Sequence, residues 1–197
     1  HINVVLLKCS KGILKVQSLY GKFKKVPVEV KVMIPFLLTG ILGIFAPIIL
    51  GGGHELIMDL ATKSFPIKLL LAVLLVKFLL TIISFGAGTP GGIFFPLLLL
   101  GAVVGNIVGI VSCNAFGVPN QYIIDFIILA MAGNFASIVK APITGIILIT
   151  EMTGSFEHML ALSVVVIISY VTSDLLKSEP IYESLLERWI EKVGSEV

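Results

Sequence analysis

Between Leu69 and Val139 the only formal charges are Lys77 and Asp125. A surface facing water carries charged side chains at short intervals, so a stretch this long and this poor in charge hides no soluble domain. Its natural solvent is hydrocarbon, where every backbone N–H and C=O must find a partner within the chain, a demand that helices meet. Composition agrees: 57% of the 197 residues are hydrophobic and 13% are charged. The expected class is an all-α integral membrane protein.

Five apolar segments are expected to span or enter the bilayer, at residues 32–50, 67–85, 93–111, 122–139 and 159–176. The first has Pro35 near its start and Pro47 near its end, and Gly51-Gly52-Gly53 stops it. Residues 54–62 read as a short helix, and residues 112–121 as a loop. In the third segment Gly101, Gly105 and Gly109 recur every four residues, a stripe that lets another helix approach closely. Lys140-Ala141-Pro142 restarts a helix that ends near Glu151-Met152-Thr153-Gly154, too short to cross a bilayer alone. The expected division is a cytoplasmic-side linker with the end of a preceding helix (1–31), a membrane domain (32–176) and an amphipathic helix entering the cytoplasm (177–197). On that last helix Tyr182, Leu185, Leu186 and Trp189 are spaced to share one face.

Seven of the fourteen Lys and Arg residues precede residue 32, which puts that end on the cytoplasmic side by the positive-inside rule. The tail, with Lys177, Arg188 and Lys192, reads the same way. A membrane-flanking position accounts for the basic run without nucleic acid. The chain opens at His1, with no Met and no charged-then-apolar leader, and so reads as a fragment or a processed chain. Cys9 and Cys113 read as ordinary thiols, and no paired Cys/His spacing implies a metal or a cofactor. His54-Glu55 invites comparison with the zinc-protease helix, but Met58 stands where the second His ligand belongs.

The chief interruption of the apolar pattern is Ser84-Phe85-Gly86-Ala87-Gly88-Thr89-Pro90-Gly91-Gly92-Ile93-Phe94-Phe95-Pro96. Irregular backbone at membrane depth is tolerated where it is buried in protein or lines a polar cavity, so the break is a site candidate. Gly91 and Gly92 carry no side chain to screen the peptide groups, and the apolar run resuming at Ile93 marks a helix start. Pro96 suits a first turn, where N–H groups lack intrahelical partners. The N–H groups of Ile93 and Phe94, at the positive end of the helix dipole, then face the break, and an anion is the natural guest. Close packing of neighbouring helices is the other use of such a kink.

Three further residues admit two readings each. Lys77, inside a membrane segment, either raises the potential for an anion or carries its ammonium along its stem to the interface. Glu151 is a proton carrier or a polar residue satisfied at a helix end. Tyr182, early in the last helix, presents its hydroxyl inward as a donor or serves as an interfacial anchor.

The segment from Gly86 to Pro96 resembles the Gly-x-Phe-x-Pro signature of the ClC chloride channels and proton/chloride antiporters, in the bacterial form that begins Gly-Gly-Ile-Phe. Two further blocks follow in the family's order: Ala141-Pro142-Ile143-Thr144-Gly145 running into Glu151-Met152-Thr153, and Glu179-Pro180-Ile181-Tyr182. The resemblance implies broken and tilted transmembrane helices forming one of the two inverted repeats of the ClC fold. It implies a chloride site made by the amides of Ile93 and Phe94 and the Tyr182 hydroxyl, supported by Gly91, Gly92 and Pro96. Lys77, Lys140 and Glu151 stand where the family commonly has basic, basic and acidic residues. Chloride is then the substrate, with protons as the second substrate of the antiporters. The protein is implied to be a multi-pass homodimer of the bacterial inner membrane, with both ends of this chain cytoplasmic. The helix after Pro142 and residues 156–170 are implied to meet the partner subunit.

The family's Gly-Ser-Gly-Ile-Pro and Gly-Arg-Glu-Gly-Pro signatures do not occur here. The chain therefore resembles the C-terminal repeat alone, its partner is the N-terminal half, and in isolation it is expected to bind anions poorly. Two other functions stand against transport: a non-transporting membrane scaffold, and an intramembrane hydrolase using His54, Glu55 or Asp125.

Overall fold

The computed structural model describes residues 28–46, 53–86, 92, 94–183, 186 and 190. Among these residues the elements are α1 (Val28–Phe45), α2 (His54–Thr62), α3 (Ile67–Gly86), α4 (Phe94–Phe116), a 3-10 turn (Asn120–Tyr122), α5 (Ile123–Val139), α6 (Pro142–Thr153) and α7 (Met159–Leu175). The expected helix within residues 1–20, the basic connection after it, and Cys9 lie outside the described residues.

Local chemistry explains where the helices start and stop. α1 begins immediately after Pro27, earlier than the apolar run at residue 32, because the residue ahead of a proline is steered out of the α region while the residue after it is not. Pro35 then lies inside α1, where the Thr39 hydroxyl donates to its carbonyl at 2.7 Å. α4 runs on to Phe116, through residues 112–116, which had been expected to belong to a loop. Isolated Ser112, Cys113 and Asn114 do not stop a helix. Gly117 does, at φ 67°, with its N–H bonded to the Cys113 carbonyl at 3.1 Å. α5 ends on Lys140 at φ 58°, and Pro142 opens α6 two residues later.

Packing is built on close approach. α4 and α5 run antiparallel, and a Cβ on Gly105 would lie 2.4 Å from the Phe126 carbonyl oxygen, so no other residue fits there at this spacing. α5 and α7 run parallel: the Ser173 hydroxyl donates to the Ser137 carbonyl at 2.6 Å, and at their starts His158 Nδ1 lies 3.6 Å from Asp125. α6 folds back along α5, with Gly145 against the Phe135 ring. The main core joins Leu98, Leu99, Ala132, Phe135, Ile149 and Leu162.

Beside this apolar core, several polar residues are buried and several large apolar ones are exposed. Asn106, Asn134, Ser137, Ser169 and Ser173 are buried, whereas Leu71, Leu75 and Leu79 of α3 and Val164, Ile167 and Ile168 of α7 are exposed. Such a bundle is solvated by hydrocarbon or by other apolar helices. Three helical stretches, Ile67–Ser84, Phe94–Phe116 and Asn120–Val139, are long and apolar enough to cross a membrane.

Candidate functional site

The break ends where α4 begins, at Phe94. Gly92 is exposed, and a Cβ placed on it would meet no described residue within 4 Å. Gly91 and Ile93, with residues 87–90, lie outside the described residues. Phe94, Phe95 and Pro96 make the first turn, where backbone N–H groups have no intrahelical acceptor, and Pro96 has no N–H to satisfy. Donors concentrated at the positive end of a long helix favour negative charge.

Several elements grip this turn from the sides. From α2, the His54 ring meets Phe95 edge-on at 5.6 Å between centroids, and Gly53, at φ 103°, lies against Leu99. From α5, the Phe135 ring meets Phe94 edge-on at 5.6 Å. Asn134, the residue before it, donates from Nδ2 to the Leu97 carbonyl at 2.6 Å. Leu97 also belongs to a small buried cluster with Ile82 of α3, Ile138 of α5 and Ile181.

Ile181 is what ties Tyr182 to this region. Residues 181–183 are helical, and Ile181 is buried in the cluster that holds the first turn of α4, while Tyr182 beside it is half exposed. Ser178, just upstream, is buried and donates its N–H to the Ser173 carbonyl at 3.1 Å, which fixes the chain as it leaves α7. Leu185 and Trp189, expected to share a face with Tyr182, lie outside the described residues.

Of the three ionisable candidates, Lys77 and Lys140 each adjoin a residue, Phe78 and Val139, that packs on the Leu97 cluster, whereas Glu151 does not. Lys77 is buried in α3, its carbonyl accepting from the Thr81 hydroxyl at 2.7 Å, and its neighbour Phe78 packs on the Leu97 cluster. Lys140 lies at the same end of the bundle as the first turn of α4, since α4 and α5 are antiparallel. There its ammonium pairs with Asp174 of α7 at 2.9 Å. Glu151 is exposed near the other end of α6, which leads away from Lys140. Among the hydrolase candidates, Asp125 faces His158, and His54 lies on Phe95. Among the described residues no group of three His, Cys, Asp or Glu side chains could hold a metal ion.

Asn134 is a candidate that the motifs in the sequence do not single out. The available signal was a carboxamide in the middle of an apolar helix, a residue that must find a partner inside.

Residues 8–174 match the family described as voltage gated chloride channel. The chain is 32% identical over 187 residues to the H(+)/Cl(-) exchange transporter ClcA of Klebsiella pneumoniae subsp. pneumoniae, covering 93% of this chain and 40% of that protein. It is 33% identical over 159 residues to the protein of that name from Salmonella typhimurium, covering 81% and 34%. Its fold matches a slow cyanobacterial Cl-/H+ antiporter with a TM-score of 0.89 at 28% identity, over 97% of this chain and 45% of that one. It matches a CLC-type fluoride/proton antiporter with a TM-score of 0.68 at 20% identity, over 87% and 41%. The chain thus spans less than half the length of each of these relatives.

Proposed function

Because this chain belongs to the voltage gated chloride channel family, an integral membrane family, we propose that it is the C-terminal half of a transporter that moves chloride across the membrane. The ion is held where α4 begins, by the backbone N–H groups of Ile93 and Phe94 and by the Tyr182 hydroxyl. Gly91, Gly92 and Pro96 keep that approach bare of side chains and of competing helix geometry. The observation that carries this reading is the first turn of α4, whose donor end opens on a glycine approach while α2, α3 and α5 hold its sides.

The physical basis is solvent replacement. Chloride leaving water loses hydrogen bonds, and preorganised N–H and O–H donors restore part of them without reorganising. Half of such a site comes from helices outside this chain, so the N-terminal half is its first partner. Between the family's two modes, proton-coupled exchange is favoured, because the relatives named above are described as exchange transporters and as a Cl-/H+ antiporter. Protons are then the second substrate, no cofactor takes part, and the chain acts as a transporter rather than an enzyme. Lys77 and Lys140 add positive potential to the pore in this reading, and Glu151 is the acidic candidate, at the far end of α6 from Lys140. The basic N-terminal end and the C-terminal tail both face the cytoplasm of a bacterial inner membrane. The apolar faces of α6 and α7, with Ile143, Ile147, Leu160, Val164 and Ile167 exposed, meet a second subunit.

The test is flux from liposomes containing the full-length protein. Chloride leaving down its gradient is expected to draw protons inward, and chloride flux with no proton movement would overturn exchange. Tyr182→Phe, which removes only a hydroxyl, is expected to weaken chloride binding by calorimetry about fivefold, the value of one hydrogen bond. Unchanged binding would remove Tyr182 from the site.

A further inference from the structure

We propose that Asn134 is a positioning residue for the anion site: through the Leu97 carbonyl it sets where the first turn of α4 presents its N–H groups. The inference rests on the chloride reading of that turn.

The first turn of α4 is poorly held from within. Its approach is glycine-rich and its first N–H groups have no intrahelical acceptor, so contacts with neighbouring helices fix its position. Leu97 is the fourth residue of α4, and its carbonyl already has a helical donor in the Gly101 N–H by the ordinary i to i+4 pattern. The bond from Asn134 Nδ2 is therefore an additional one, made to the second lone pair at 2.6 Å. Only the NH₂ end of the amide can bond a carbonyl, so Oδ1 is turned away, and this fully buried atom has no hydrogen-bond partner among the described residues.

That arrangement makes no sense as a means of stability. Leu97 would lose nothing its helix needs if Asn134 were apolar, and the unpaired oxygen would disappear. A carboxamide kept at 1% exposure, with Oδ1 unpaired among the described residues, serves geometry rather than stability. The element that carries it suits the task. α5 is seated on α4 through Gly101 and Gly105, where any side chain would collide with α5 backbone, so it cannot slide. Phe135, next in sequence, adds its edge contact to Phe94, and the two successive residues hold both ends of one helical turn.

The experiment compares Asn134→Leu with Asn106→Leu in the full-length protein, reading chloride affinity by calorimetry and the melting temperature in detergent. Asn106 is the control: a buried carboxamide that lies on α4 itself, twelve residues beyond Phe94, and donates to the Leu60 carbonyl at 3.3 Å. Asn134→Leu is expected to weaken chloride binding about tenfold, and to change the chloride-to-nitrate affinity ratio, while melting at or above the wild-type temperature. Asn106→Leu is expected to leave both binding measurements unchanged. Wild-type affinity in Asn134→Leu overturns the inference, as does a loss of affinity that tracks lost stability equally in both variants. If Asn134→Leu does not fold, Asn134→Ala is read by the same criteria. Wild-type protein that binds no chloride overturns the transport reading first, before any variant is compared.

Discussion

Lys140 shows how much one residue can be asked to do. It ends α5 in the left-handed region, at φ 58°, and its ammonium reaches Asp174 at 2.9 Å. A non-glycine residue in that region costs roughly 1–2 kcal/mol, and an ion pair whose carboxylate is largely exposed returns about 0–1 kcal/mol. Lys140→Gly relieves the first and loses the second, so it is expected to melt at or slightly above the wild-type temperature. Lys140→Ala loses the pair without relief and is expected to melt lower, by an amount equivalent to about 0.5–1 kcal/mol. Scanning calorimetry in detergent distinguishes them, and Lys140→Ala melting above Lys140→Gly would contradict the account. Asp174 also offsets the positive charge that Lys140 would bring to the anion site proposed at the first turn of α4.

At the scale of elements, the bundle depends on how closely α4 and α5 meet. The expected stripe of Gly101, Gly105 and Gly109 is graded in the fold: an added Cβ would be 2.9 Å, 2.4 Å and 3.3 Å from its nearest neighbour on α5. Contact below 3 Å with backbone cannot be relieved by a side-chain rotation, so the helices must separate. Gly105→Ala is therefore expected to destabilise the protein by about 2–3 kcal/mol or more, and Gly109→Ala by under about 1 kcal/mol. Gly92→Ala, whose added Cβ meets no described residue within 4 Å, is expected to leave the melting temperature within error. The order of the three melting temperatures in detergent checks this, and equal losses at Gly105 and Gly109 would contradict it. Because α5 also carries Asn134 and Phe135, separation at Gly105 would reach the first turn of α4 as well.

At the scale of the whole molecule, exposed apolar faces remain on the described helices until partners are added. Ile167 and Ile168 of α7 are 55% and 58% exposed. If they meet a second subunit, Ile167→Arg with Ile168→Arg places charge in an apolar interface, at about 2.5–3.5 kcal/mol for each residue. The full-length double variant is expected to run as a monomer by light scattering in detergent, and a persistent dimer would exclude this face. The membrane class, the existence of the helices between residues 54 and 175 and the position of the break were legible in the chain itself. They arise from local causes: absence of charge, apolar runs of helical length, and Gly or Pro where backbone geometry must change. The errors were local too, as at residues 112–116, where three polar side chains suggested a loop but the helix-ending αL residue is Gly117. What encloses the first turn of α4 had no such signature. Asn134 lies 37 residues from Leu97, and the partner of Lys140 lies 34 residues onward. The sequence alone could establish that a helix begins beside a bare backbone break, because that depends on neighbouring residues. Only the tertiary structure could decide which distant side chains hold that turn, since contacts across a bundle depend on how closely helices pack.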